Sequence, residues 1–197
     1  MGALYRFNVA EILAKHGFRI FIETGTGGAD SLAHAAIHPG FERLLSCEIA
    51  PMLAVGAVVR FHDDPRVEIY RMDSRNFIRQ IVHADLPPAL IFLDAHYPGA
   101  GFGLGEYHDA IDAEQKLPLA VELEAIARHR PPHDLIIIDD LRIYETGEYE
   151  DGPLPADVPG TPSATGADWM RALFPSHKAV KFTQDQGYLV LLPQTTP

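Results

Sequence analysis

Short apolar runs rich in β-branched and aromatic residues recur along the chain, at residues 18–22, 43–47, 67–70, 89–93 and 135–138. Each has the length and composition of a strand. Between them, residues 31–37, 51–61, 74–83 and 118–129 space their apolar positions as one face of a helix. Pro51 and Pro118 stand where a first helical turn tolerates proline, and Ser74 is placed to be an N-cap. Strand followed by helix, repeated, implies a parallel sheet, because parallel neighbours need a crossover that a helix supplies. The strands are almost wholly apolar, as in a sheet covered on both faces. Residues 179–183 and 188–192 break this rhythm. They are strand-like and separated by Gln184, Asp185, Gln186 and Gly187, the pattern of a hairpin whose antiparallel strand finishes the sheet. The expected fold is α/β: one domain over residues 1–197, a Rossmann-like, doubly wound, mostly parallel seven-stranded sheet with an antiparallel C-terminal hairpin.

Two long connections interrupt the pattern, at 97–117 and 141–166, both rich in Gly, Pro and acidic residues. Connections of that length inside a compact domain are usually functional or disordered. Both begin just after a strand, at the carboxyl edge of the sheet, where open α/β sheets bind ligands.

Composition narrows the partners. With 197 residues, 47% hydrophobic and 22% charged, the chain can bury one full core and is neither disordered nor fibrous. Its formal net charge of -11 opposes polyanions, so neither nucleic acid nor an anionic membrane is an expected partner. The lone Cys47 excludes an intrachain disulfide and a cysteine-based zinc site, and its place in a strand makes it a buried, inert thiol in a reducing compartment. Residues 1–16 carry charges and no long apolar run, the opposite of a signal peptide or an anchor. The expectation is a cytoplasmic protein acting on a small molecule, with self-association left open.

Chemistry concentrates at the strand ends. Glu23-Thr24-Gly25-Thr26-Gly27-Gly28-Ala29 follows the first strand and opens the first helix, and glycine there lets a ligand approach the main chain. Glu48, twenty residues after Gly28, stands at the end of the second strand, where a carboxylate can accept from both hydroxyls of a ribose. Asp73 follows the third strand, near the base of the same nucleoside. The turn lacks the Gly-Lys-Ser/Thr ending of a P-loop, which disfavours a nucleoside triphosphate. Glu23 is badly placed beside a pyrophosphate and well placed beside a cationic amino group.

Glu23-x-Gly25-x-Gly27, then Glu48, then Asp73, resembles the class I S-adenosylmethionine-dependent methyltransferases, and element order extends the resemblance over essentially the whole chain. Ala29 stands where many members have a third glycine, a change that size alone makes small. The resemblance implies S-adenosylmethionine held by Glu23, Thr24, Gly25, Thr26, Gly27, Gly28, Ser31, Glu48, Asp73, Ser74 and Asp94.

Asp94-Ala95-His96 follows the fourth strand and Asp139-Asp140 the fifth. On neighbouring strands these ends lie roughly 5 Å apart, so three carboxylates share a small volume. They repel unless protonated or neutralised by a cation. Alternatively, an Asp-Asp pair after a strand caps the next turn, with one member facing solvent. Asp94, Asp139 and Asp140 form an oxygen-only set, which favours Mg²⁺ first among divalent cations. The pattern resembles the metal-dependent O-methyltransferases, most closely the macrocin O-methyltransferase-like group, which acts on sugar hydroxyls. Catechol-type members carry a lysine three residues after the first aspartate, where this chain has Tyr97, and the general base is left open. The implied reaction is methyl transfer to a hydroxyl of a sugar, vicinal diol or catechol-like molecule. Asp94 is placed at the reacting centre, and His96 is the candidate for assisting deprotonation. His108 and Lys116 lie in the 97–117 connection as further candidates for substrate contact. A nicotinamide-dependent oxidoreductase and a non-catalytic cofactor-binding protein are the competing readings; the crowded acids argue against the second.

Overall fold

The computed structural model describes residues 3–83, 85–96, 113–156, 158 and 160–194. Among these residues are seven strands: β1 (Ile20–Thr24), β2 (Arg43–Glu48), β3 (Val67–Arg71), β4 (Ala89–Leu93), β5 (Leu135–Ile138), β6 (His177–Phe182) and β7 (Tyr188–Pro193). They form one sheet in the order β3-β2-β1-β4-β5-β7-β6. The first five run parallel, and β7 lies antiparallel between β5 and β6. The expected mostly parallel sheet and its hairpin are therefore present. The last strand in sequence is not the last in space; β6 forms the edge.

Alternation along the strands explains the two layers that cover the sheet. Ile20, Ile22, Ala89, Ile91, Leu93, Ile136 and Ile138 point to one side, where they meet Phe77 and Ile78 of α4 (Ser74–Gln80), Leu119, Leu123 and Ile126 of α6 (Leu119–His129), and Met170 of α7 (Asp168–Leu173). Phe21, Leu44, Leu90, Phe92, Leu135 and Ile137 point to the other. There they meet Val9 of α1 (Val9–His16), Leu32 and Ala35 of α2 (Asp30–Ala36), and Ala57 of α3 (Pro51–Arg60). The short α5 (Ala113–Lys116) leads into α6. Only the central strands are apolar on both faces. β3 and β6 are partly exposed along their length, because each has a neighbour on one side alone.

Several boundaries differ from the sequence expectation. β1 starts two residues later than 18 and continues through Glu23 and Thr24, which pair in register with Ser46 and Cys47. Polar residues that resemble a turn are thus the end of a strand. The N-cap of α4 is Asp73, whose side chain accepts from the Arg75 N–H; Ser74 is the first helical residue. α1 was not expected, although Asn8 accepts from the Glu11 N–H at its start and Gly17, at φ 67°, closes it. The 141–166 connection is a packed segment. It opens with a 3-10 turn at Leu141–Ile143, forms a bridge between Glu145 and Ser163, and buries Ile143, Tyr144 and Tyr149. Residues 97–112 of the other connection, including Tyr97 and His108, lie outside the described residues.

The end of the sheet opposite the functional edge is tied by a buried ion pair. Arg130, just past α6, donates to both carboxylate oxygens of Asp134 at 2.6 and 2.8 Å and to the carbonyls of His83, Leu86 and Pro87. Asp134 in turn accepts from the Ala89 N–H at the start of β4. Removing one partner of such a pair strands the other in the core at roughly 3–5 kcal/mol. Arg130→Ala is expected to lower Tm by roughly 10 °C, at about 2–4 °C per kcal/mol in a chain of this size. Thermal unfolding followed by circular dichroism checks it, and a drop of less than a few degrees contradicts the role given to the pair.

Candidate functional site

The sheet register carries the expected residues to one edge. The Asp94 N–H donates to the Thr24 carbonyl and the Asp139 N–H to the Leu93 carbonyl, each 3.1 Å, prolonging the β1–β4 and β4–β5 ladders by one step. The ends of three adjacent strands thus lie side by side.

At the end of β1 the chain turns sharply. Gly25 and Gly27 have φ of 79° and 50°, and the Gly25 and Thr26 N–H groups both donate to the Cys47 carbonyl at 3.0 Å. A Cβ on Gly25 would lie 2.5 Å from the Asp94 carbonyl oxygen, so glycine is required by contact as well as by conformation. Ala29 also adopts a left-handed conformation, at φ 62°. Glycine is therefore favoured at that position by backbone geometry, not by size as the sequence implied.

Glu23 is buried beneath this turn, and its Oε2 accepts from the Ser46 hydroxyl at 2.6 Å. Ser46 is also 2.6 Å from the Thr26 hydroxyl, which links strand end to turn. Burial, opposed by the Ser46 hydrogen bond and reinforced by Asp94 and Glu48, pushes the Glu23 carboxyl up to about 8. Glu48 accepts from the Gly27 N–H at 2.9 Å through one oxygen and from the Ala50 N–H at 2.8 Å through the other. Each oxygen keeps a lone pair for a further donor. Asp73 is more heavily engaged: Arg75 donates to both its oxygens, through Nε at 2.9 Å and Nη2 at 2.8 Å, and Gln115 approaches at 3.3 Å. Burial works against the Asp73 charge, yet Arg75 holds the carboxyl below its usual range. Ser31 sits on α2, where its hydroxyl accepts from the Leu4 N–H. Ser74 and Thr24 are buried, and the Thr24 hydroxyl has no partner among the described residues.

At the ends of β4 and β5, one ligand atom each from Asp94, His96 and Asp140 lies within 4.8 Å of the other two. His96 Nε2 is 2.5 Å from an Asp140 oxygen and 3.4 Å from an Asp94 oxygen, yet neither contact has hydrogen-bond geometry. Asp140 reaches this position from a left-handed backbone at φ 49°, a conformation that aspartate tolerates better than most residues. Asp139 stands beside this group and not within it. Its Oδ1 accepts from the Asp140 N–H at 2.7 Å, while its Oδ2 is buried and unpartnered. One member of the pair thus makes the local turn, as a strand-end Asp-Asp often does. Burial and the neighbouring aspartates raise Asp139 well above the carboxylate range. Asp94 rises to about 6, through burial and Asp140 against the pull of His96. His96 is desolvated, but Asp140 and Asp94 hold its imidazole well above its ordinary value.

Glu122 completes the surroundings and had no place in the sequence expectation. It is 1% exposed on the first turn of α6, has an unpartnered Oε1, and is raised to about 7, first by burial. The signal was legible: it stands on the buried stripe with Leu119, Leu123 and Ile126, a position for an apolar side chain.

The residues present fit a nucleoside-bearing cation: a glycine wall with no room for a Cβ, a buried carboxyl beneath it and a strand-end carboxylate with free lone pairs. They also fit a divalent ion, because Asp139 Oδ2 and Asp140 Oδ1 are buried without a partner beside three convergent donors.

No family model matches the sequence, and no curated protein matches it. Solved structures do match its shape. A provisionally named caffeoyl-CoA O-methyltransferase from Staphylococcus aureus superimposes at a TM-score of 0.61 with 13% identity, over 98% of this chain and 85% of that one. The chain has the class I methyltransferase fold. An O-methyltransferase from Bacillus cereus, solved with SAH, aligns at a TM-score of 0.57 and 19% identity over 93% of this chain and 78% of its own. A sugar N-methyltransferase from a Streptoalloteichus species aligns at 0.54 and 17% over 94% and 85%. At these identities the likeness is one of architecture. No helix among the described residues is long and apolar enough to cross a membrane.

Two stability measurements test the turn. A carboxyl whose folded value is raised stabilises the fold most below its ordinary value of 4.5, and loses that contribution as pH rises through about 8. Glu23→Gln, which still accepts from Ser46, is expected to melt above the unsubstituted chain at pH 8, with the gap closing toward pH 5. A pH-independent gap contradicts the assignment. Ala29→Gly, by relieving a left-handed alanine, is expected to gain about 1 kcal/mol, roughly 2–4 °C in Tm; a loss of stability would mean that φ is not what governs this position.

Proposed function

We propose that the protein is an S-adenosylmethionine-dependent methyltransferase that methylates a hydroxyl of a small molecule, assisted by a divalent cation. The observation that carries this reading is the contact between Gly25 and Asp94. The turn suited to the cofactor and the acidic group suited to a cation share one wall, which favours a reaction between their two ligands.

In this reading Glu48 accepts from the ribose hydroxyls while keeping its bonds to Gly27 and Ala50. Glu23, uncharged at neutral pH when alone, ionises against the cofactor's ammonium group. The glycine turn lets the cofactor lie on bare backbone. Asp94, between the two sites, orients the reacting groups and helps hold the cation with Asp140. Asp73, already held by Arg75, flanks the base. S-Adenosylmethionine brings an electrophilic methyl group on a sulfonium. Mg²⁺ or another divalent cation, when bound, lowers the pKa of a chelated hydroxyl and aims it. The acceptor hydroxyl releases its proton to solvent, and its oxygen forms the new bond to carbon as the bond from sulfur to that carbon breaks. A sugar or other vicinal diol, or a catechol, has the paired oxygens that such an arrangement recognises. The Asp-Asp pair after β5 supports the sugar-directed branch.

Calorimetric titration with S-adenosylhomocysteine is expected to show binding, and Glu48→Ala to weaken it by roughly 10–100-fold, the worth of charged hydrogen bonds to two hydroxyls. Binding of NAD⁺ with no response to S-adenosylhomocysteine would sink the proposal. Transfer of label from methyl-labelled cofactor to a panel of sugars and catechols is expected to fall when EDTA is added. Full activity in EDTA removes the cation from the reaction and leaves the cofactor assignment standing.

A further inference from the structure

The group at the ends of β4 and β5 differs in composition from an oxygen-only site. The atoms that come together belong to two carboxylates, Asp94 and Asp140, and one imidazole, His96. Among the described residues, His96 is the cationisable side chain that pairs with those carboxylates. Its Nε2 is 2.5 Å from Asp140 and 3.4 Å from Asp94, but no N–H···O bond joins them. Three side chains thus present potential ligand atoms to one point, paired as ions until a cation displaces the imidazole's proton.

A second observation comes from two residues outside that trio, Asp139 and Glu122. Beside it lies a cavity whose volume open to a water's centre is about 10 Å³, room for roughly one water-sized particle. Asp94, His96, Asp139, Glu122 and Tyr144 are among the residues lining it. Glu122 Oε1 and Asp139 Oδ2, on residues 1% and 2% exposed, have no hydrogen-bond partner among the described residues. Buried carboxylate oxygens left unpaired are costly. Two of them on the wall of a small void, with an imidazole beside them, call for a cation that accepts nitrogen as well as oxygen.

We propose that His96 is a ligand of the cation through Nε2, and that the site prefers a first-row transition ion such as Co²⁺, Fe²⁺ or Zn²⁺ to Mg²⁺. This rests on the cation-assisted reading above and deepens it. Imidazole suits those ions, whereas Mg²⁺ selects oxygen donors and gives up its waters reluctantly. A lone pair committed to a cation cannot also take a proton from substrate, so His96 holds the ion and does not serve as the base at that nitrogen.

The test uses the full chain, stripped with a chelator and titrated separately with Co²⁺ and Mg²⁺ by calorimetry, with the visible absorption of bound Co²⁺ recorded in parallel. The unsubstituted protein is expected to bind Co²⁺ more than about 100-fold tighter than Mg²⁺. His96→Asp, which makes the set all-oxygen, is expected to weaken Co²⁺, to leave Mg²⁺ unchanged or tighter, and to shift the Co²⁺ spectrum. A ratio below about tenfold in the unsubstituted protein overturns the proposal whether or not the variant folds. A folded His96→Asp protein with the same ratio and spectrum also overturns it, as does the absence of Co²⁺ binding. Titration of the same preparations with S-adenosylhomocysteine separates the two readings. Cofactor binding with a failed metal result removes only this inference, and its absence removes the functional reading itself.

Discussion

The approach of Gly25 to the Asp94 carbonyl is the constraint on which the arrangement of the functional edge depends. Parallel pairing of β1 with β4 brings the two strand ends into register, and the chain leaving β1 must then pass over the backbone leaving β4. A Cβ at 2.5 Å from a carbonyl oxygen has no place to go, since both sides are main chain. Glycine permits the turn, and the turn reaches Cys47 and Glu48 on β2 while lying against the backbone of Asp94.

The two ends of the sheet treat buried charge in opposite ways. At the end where β4 and β5 begin, Arg130 and Asp134 satisfy one another and three loop carbonyls, and the result is mechanical stability. At the other end, Glu23, Asp94, Glu122 and Asp139 are all raised first by burial, and the imidazole of His96 acts against that rise at Asp94, Glu122 and Asp139. A fold has no stability reason to gather acids in this way. Such crowding is costly unless ligands of opposite charge complete it, and for that reason the edge reads as a site and not as a structural ion-pair network.

Glu122 illustrates how a helix can serve both layers at once. α6 packs Leu119, Leu123 and Ile126 against β4 and β5, and the same stripe carries one carboxyl to the cavity beside Asp94. The helix that seals the core therefore also adds to the negative charge at the functional edge. The 141–166 segment behaves similarly: Tyr144 lines the same cavity, while Ile143 and Tyr149 anchor the segment to the core.

Much of this was legible in the chain itself. Strand–helix alternation, the glycine turn and the acids after each strand are local features, and periodicity and backbone chemistry at each position report them directly. The sequence determined that the sheet is mostly parallel, that Gly25 begins a glycine turn at a strand end, and that Glu48, Asp94, Asp139 and Asp140 stand at strand ends. Tertiary structure alone decided which of these atoms meet. It inserted β7 between β5 and β6, gave Asp139 to the turn while Asp140 joined Asp94, and brought His96 and Glu122 to the same edge. The reason is physical: one-dimensional spacing says which residues end a strand. The direction of a side chain beyond that end depends on a left-handed φ at Asp140 and on the packing of α6, which are settled only when the sheet is assembled.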